Sequence, residues 1–210
     1  MTLLRIDASI LGAASASSEL ADLVLAEWTA ERPDEKVVTR HLGAEPLPSD
    51  AWATAIGAGY TPEDQRSDAQ KAAVALAKDL HDELTSADAV VLAFPLYNWG
   101  ISQHVKTWLD LVIAGGQAGA PILQGKPVVL LSTRGGNYSK GTPKEGWDHS
   151  TPFLRRVITE VWGADLTVVE REFTLVGVNP ALDQFAELGA QLKKEAHEAA
   201  TAAGKALAAK

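Results

Sequence analysis

The sequence predicts an α/β protein built on a doubly wound, five-stranded parallel sheet flanked by helices. Two observations carry this. Strand-length apolar runs alternate with stretches whose apolar residues recur at helical spacing, and one run, Ala-Val-Val-Leu-Ala-Phe at 89–94, contains no polar residue. That run is what a central strand covered on both faces requires.

The elements follow in order. Leu3-Leu4-Arg5-Ile6-Asp7 is the first strand, and after a loop of small polar residues a helix covers 18–31. Residues 36–40 form the second strand. The Pro- and Gly-bearing stretch 41–62 reads as an irregular excursion. Thr61-Pro62-Glu63-Asp64 then starts a helix running to about Ser86, with Thr61 as N-cap, Pro62 in the first turn and carboxylates favoured by the helix dipole. Beyond the central strand come a helix over 101–113, a buried strand over 127–132, a helix over 151–162 and a fifth strand over 166–170. The Ala-, Glu- and Lys-rich tail, 180–210, is a helix with a solvated face. Trp28, Trp108 and Trp162 sit at helical core spacing, so most of the six tryptophans are expected inside. Asp79, Asp82 and Glu83 fit a solvated helix face.

With 210 residues, 46% of them hydrophobic and 22% charged, the chain is expected to form one domain over 1–210. No apolar run is long enough to span a bilayer, and the first residues read as a strand rather than a secretory signal. A cytoplasmic protein with no membrane partner is expected. The absence of cysteine excludes disulfides, thiolate catalysis and thiolate metal ligation. His41, His81, His104, His149 and His197 show no metal-binding spacing, so no metal is expected. The net charge of -8 opposes nucleic-acid binding. Asp148-His149-Ser150 contains the residue types of a hydrolytic triad, but adjacent residues do not normally point at one another as a relay needs.

Doubly wound sheets bind ligands at the carboxyl ends of their strands where the winding reverses, which directs attention to the loops after strands one, three and four. In the first, Ser9 to Ser18, hydroxyls crowd a helix start, where free N–H groups can bind phosphate without a lysine. An ordinary N-cap accounts for one of these serines equally well. The second, Pro95-Leu96-Tyr97-Asn98-Trp99-Gly100, offers planar side chains and strand-end N–H groups to a flat heteroaromatic ring. The third, Thr133-Arg134-Gly135-Gly136-Asn137-Tyr138, has adjacent glycines that allow a backbone to approach a ligand closely, although turn chemistry is the commoner reason for such a pair. Neither a Walker loop nor a dinucleotide glycine fingerprint is present.

The run Pro95-Leu96-Tyr97-Asn98-Trp99-x-Ile101-Ser102, continued by Lys106 and Leu109-Asp110-Leu111, resembles the FMN-dependent NADH azoreductase family, which is related to the NAD(P)H:quinone reductases. Ser9 with Ser15-x-Ser17, and Thr133-Arg134-Gly135-Gly136, resemble that family's other two flavin loops in the same order. The resemblance, from Leu3 to about Val169, implies a flavodoxin-like fold and a homodimer with one FMN per subunit at the interface. It implies that Ser9, Ser15, Ala16 and Ser17 hold the phosphate, that Leu96, Tyr97, Asn98 and Trp99 line the isoalloxazine ring, and that Thr133, Arg134, Gly135 and Gly136 meet its pyrimidine side. Ala16 stands where the family often has a polar residue, and 115–125 is short and lacks the aromatic residues the family often places near the acceptor pocket.

The implied activity is two-electron, ping-pong transfer from NADH or NADPH through FMN to a small acceptor such as a quinone or azo compound. No side-chain nucleophile is needed, and the Gly135 or Gly136 N–H is the candidate to stabilise the reduced ring. Tyr138 is a candidate proton donor to the acceptor, and a structural or dimer-contact role fits it as well. An FMN-binding redox carrier or sensor and a cofactor-free structural or interaction protein are the competing expectations.

Overall fold

The computed structural model describes residues 1–210. Five strands, β1 (Thr2–Asp7), β2 (Lys36–His41), β3 (Ala89–Pro95), β4 (Pro127–Thr133) and β5 (Asp165–Arg171), form one sheet in the order β2-β1-β3-β4-β5. Every neighbouring pair is parallel. The chain steps from β1 outward to β2, then crosses back to β3 and on to β4 and β5, so the winding reverses between β1 and β3. β3, the uninterrupted apolar run, is buried at all of its positions.

Alternation along the strands divides the core in two. Leu3, Val91, Ala93 and Leu131 face α1 (Ala16–Glu31) and α6 (Ala186–Ala208), packing with Leu20, Val24, Trp28 and Ala200. Leu4, Ile6, Leu92, Phe94 and Leu130 face the opposite layer of α2 (Ala51–Ala58), α3 (Asp68–Ser86), α4 (Gln103–Ala114) and α5 (Thr151–Arg155), with Leu80, Trp108 and Trp162. The five-stranded doubly wound sheet is as the sequence predicts.

Four local expectations are corrected. The stretch 41–62 is not wholly irregular: it contains α2, which buries Ala51, Ala55 and Ala58. Alanine marks a buried face too weakly for the period to stand out in the sequence. α3 begins after Ser67, not at Thr61-Pro62, because Ser67 and Gln70 form a capping box that satisfies two backbone N–H groups reciprocally. Thr61 instead accepts a hydrogen bond from Gln70 Nε2 at 3.1 Å, ahead of a short 3-10 turn at Glu63–Gln65. The helix over 151–162 is α-helical only to Arg155 and continues as a π-helical turn, Arg156–Val161, with Leu154, Ile158 and Trp162 buried. The tail is 3-10 over Pro180–Phe185 before α6 begins.

Three of the six tryptophans, not most, are core residues: Trp52, Trp99 and Trp147 are 45%, 49% and 50% exposed. Glu83 is not simply solvated either, since it accepts from Arg40 Nε at 2.7 Å and Nη2 at 3.2 Å.

Candidate functional site

The loops after β1, β3 and β4 leave the same edge of the sheet. In the first, Ser9, Ser15 and Ser17 are buried. Ser15 caps α1: its Oγ accepts from Ser18 N at 3.1 Å and lies 3.2 Å from Ser17 Oγ. The N–H groups of Ala16 and Ser17, in the first turn, have no acceptor within the protein. Beside them a cavity of about 520 Å³ is lined by Gly12, Ser15, Ala16, Glu19, Arg171 and Lys193. The nearby carboxylates are already engaged. Arg5 pairs with Asp7 and Asp22, each at 2.6 Å, and Glu19 pairs with Arg171 at 2.5 Å and Lys193 at 2.9 Å. Burial opposes the charge on Glu19, but its bonds to Lys193 and Arg171 outweigh this and hold the carboxyl below its ordinary value. The positive end of the helix is therefore open to an anion.

The second loop is a tight turn. Tyr97 N donates to Gly100 O at 3.1 Å and Gly100 N to Tyr97 O at 3.0 Å, with Asn98 and Trp99 between them at φ 48 and 67. Two consecutive left-handed residues define the primed turn, and for a tryptophan that conformation is strained. Strain of this kind is kept where the surrounding structure holds it, commonly at ligand sites. Trp99 is held by an edge contact with Trp147, ring centres 6.2 Å apart, and its carbonyl accepts from His149 N at 2.9 Å. A second cavity of about 520 Å³ is lined by Ile10, Tyr97, Asn98, Gly100, Ile101 and Gln103.

These loops are tied together. The Tyr97 hydroxyl lies 3.3 Å from Ser9 Oγ and accepts from Ile10 N at 3.1 Å, and Leu96 N donates to Thr133 O at 2.8 Å.

In the third loop the carbonyls of Arg134, Gly135 and Gly136 accept from Thr174 N at 3.1 Å, Leu175 N at 3.3 Å and Phe173 N at 3.1 Å. Across a trans peptide the following N–H points the opposite way, so the N–H groups of Gly135, Gly136 and Asn137 turn away from residues 173–175. None of the three has an acceptor within the protein. Successive free N–H groups form a nest, a concavity of partial positive charge suited to an anion or a carbonyl oxygen. A Cβ at 135 would lie 2.7 Å from Leu175 Cδ1, so a larger residue there would displace the Leu175 side chain.

The Arg134 side chain does not accompany its backbone into this concavity. It is 7% exposed, within 2.6 Å of Glu170, 2.7 Å of Asp148 and 3.2 Å of Glu172. Burial works against its charge, but the Glu170 hydrogen bond and the three carboxylates prevail and raise its pKa. Asp148 caps α5 through Ser150 N at 2.8 Å and Thr151 N at 2.9 Å. Burial opposes its ionisation, yet the Thr151 bonds and the Arg134 charge hold it below its ordinary value. It is thereby a cap and an ion-pair partner rather than part of a relay with His149 and Ser150. Tyr138 lines a third cavity, of about 730 Å³, with Arg134, Asp148 and Glu172, apart from the one lined by Tyr97 and Asn98. Burial, then the Asp148 charge, pushes its phenol above the ordinary value, so it stays protonated.

The segment 115–125 lines none of these three cavities. Its start packs on α3, where a Cβ at Gly115 would sit 2.0 Å from Ala77 O. No group of three or more His, Cys, Asp or Glu side chains is placed to hold a metal ion. Sequence reasoning missed Glu172 and residues 173–175. The available signal was their position, directly after the fifth strand at the edge where the loops gather.

Comparison with known proteins agrees with this architecture. A family model described as flavodoxin-like fold matches residues 1–200. The FMN-dependent NADH:quinone oxidoreductase of Frankia alni is 38% identical over 191 residues, covering 89% of this chain and 90% of that protein. The protein of the same name from Parafrankia sp. is 40% identical over 195 residues, with coverage of 89% and 90%. The crystal structure of an azoreductase from Bacillus anthracis matches with a TM-score of 0.79 at 25% identity, covering 98% of this chain and 99% of that one. The chain belongs to the flavodoxin-like fold family and, within it, to the family of the FMN-dependent NADH:quinone oxidoreductases.

Proposed function

We propose that this protein is an FMN-dependent NADH:quinone oxidoreductase that also reduces azo compounds, and that the three loops hold its FMN. The observation that carries the reading is their convergence, with Tyr97 bonded to the first loop and Leu96 to the end of β4. The donor set suits the cofactor: free N–H groups and buried hydroxyls at a helix start for a phosphate, an aromatic and amide wall for a flat ring, and an N–H nest for the ring edge that gains negative charge. When bound, FMN supplies reversible two-electron transfer between a nicotinamide donor and a quinone or azo acceptor.

The chain's own residues bind, orient and stabilise. The N–H groups of Ala16 and Ser17 and the hydroxyls of Ser9, Ser15 and Ser17 take the phosphate, Ala16 acting through its backbone alone. Leu96, Tyr97, Asn98 and Trp99 position the ring. Thr133 and the backbone of Arg134 border its pyrimidine side, and the Gly135 and Gly136 N–H groups stabilise the charge that reduction places there. Tyr138 lines a cavity separate from the one walled by Tyr97 and Asn98, which supports a structural role for it over proton donation to the acceptor. The active form is a cytoplasmic homodimer. Trp52, Ile56 and Tyr60, the last 88% exposed, give an apolar surface suited to a second copy.

The test is anaerobic. FMN-loaded protein is mixed with one equivalent of NADH, and a quinone or an azo dye is then added. Bleaching by NADH and recovery of colour with each acceptor are expected. Protein that takes up no FMN, or bound FMN that NADH does not bleach, overturns the proposal.

A further inference from the structure

We infer that Glu172 is a positioning residue that holds the nest at 135–137 in register with the ring it serves, an inference that rests on those N–H groups facing bound FMN. Glu172 follows the last residue of β5 and is 7% exposed. One oxygen accepts from Tyr138 N at 2.8 Å and from Arg134 Nη1 at 3.2 Å, and the other accepts from Ser139 Oγ at 2.6 Å. A single carboxylate thus grips the residue before the nest and the two that follow it.

Charge balance alone does not account for this carboxylate. Arg134 already has Glu170 at 2.6 Å and Asp148 at 2.7 Å, so a third anion around one guanidinium adds repulsion. What Glu172 adds is its two bonds to Tyr138 and Ser139, which fix the exit of the glycine turn.

The next three residues complete the support. Phe173 is left-handed at φ 54 and buried, stacked on Phe185 with ring centres 5.0 Å apart. That backbone conformation follows Glu172 directly and turns the N–H groups of 173, 174 and 175 onto the three nest carbonyls. The carbonyls are occupied on one side, and the N–H groups are left to the other. If Glu172 is removed, Tyr138 and Ser139 lose their anchor, and the nest donors drift from the positions where reduction of the ring needs them.

The test uses FMN-loaded full-length protein and reads two quantities, the rate of bleaching by NADH and the reduction potential of the bound FMN. For Glu172→Ala the rate is expected to fall about tenfold and the potential to fall by about 30 mV, the tenfold equivalent for a two-electron couple. Glu172→Gln still accepts from Tyr138 N and bonds Ser139, and returns the rate to within about twofold and the potential to within about 10 mV of the parent. Unchanged rate and potential in Glu172→Ala overturn the inference while leaving the proposed function intact. If Glu172→Ala does not fold, Glu172→Asp carries the test. One carbon shorter, it is expected to lose about threefold, and no loss overturns the inference. A parent protein that binds no FMN overturns the proposed function and this inference together.

Discussion

The hydroxyl of Tyr97 lies 3.3 Å from Ser9 Oγ although the two residues are 88 apart in sequence, and the same hydroxyl accepts from Ile10 N. One side chain therefore sets the distance between a loop of phosphate-type donors and a turn of planar groups. Because β1 and β3 are hydrogen-bonded neighbours, the fold delivers both loops to the same edge, and Tyr97 fixes the remaining freedom.

Tyr97→Phe removes that link and leaves the ring. It is expected to cost about 1 kcal/mol of folding stability, the ordinary worth of such a bond, and to weaken FMN binding about fivefold. Urea denaturation and fluorescence titration with FMN check the two effects separately.

Ser15 is both a helix cap and a proposed phosphate ligand, and one substitution separates the roles. Ser15→Asp caps as well as serine and suits the helix dipole, so stability is retained. Its negative charge opposes the phosphate, and FMN affinity is expected to fall on the order of 100-fold, whereas riboflavin, which has no phosphate, loses little. Parallel titrations with the two flavins measure the difference.

Gly135 and Gly136 respond differently to a methyl group. At 135 the added carbon meets Leu175 Cδ1 at 2.7 Å, so the half-exposed Leu175 side chain must swing aside, and Gly135→Ala is expected to cost up to about 1 kcal/mol, recovered in the double variant with Leu175→Ala. At 136 the nearest atom is Lys144 Nζ at 3.4 Å, the end of a flexible side chain. Gly136→Ala should therefore fold normally while losing about tenfold in FMN affinity, because the new group stands beside the nest. Thermal melts and flavin titrations of the three variants distinguish these outcomes.

The sheet was legible because burial on both faces leaves a continuous apolar signature, and the loops were legible because the strand order places them. α2 was hidden by alanines that mark a face weakly. The start of α3 was written as Ser67-x-x-Gln70, a capping box that the more conspicuous Thr61-Pro62 obscured. At the site, Arg134 gave no sign that its guanidinium would be claimed by Asp148, Glu170 and Glu172, since the two glutamates reach it through the pairing of β4 with β5 and Asp148 through the loop before α5. The support at 173–175 was invisible for a different reason. It depends on a left-handed phenylalanine, where the residues that usually announce that conformation are glycine and asparagine.

Acid stability follows from Glu19 and Asp148. Both carboxyls titrate below their ordinary values of 4.5 and 3.8 in the folded protein. A lowered folded pKa contributes stability that is fully present above the unfolded value and is lost as pH falls through the folded one. Denaturant midpoints are thus expected to decline as pH drops below the ordinary carboxylate range, and less steeply in Asp148→Asn. Tyr138 acts in the opposite sense: its raised pKa contributes stability below 10.0 that is lost as pH rises through the folded value.

The measurement closest to the central claim is an amide NMR titration of the full chain with FMN. The signals of Ala16, Ser17, Asn98, Trp99, Gly135 and Gly136 are expected to move together along one binding curve with a one-to-one endpoint. Shifts confined to a single loop, or separate curves for the serine loop and the paired glycines, would contradict a common site.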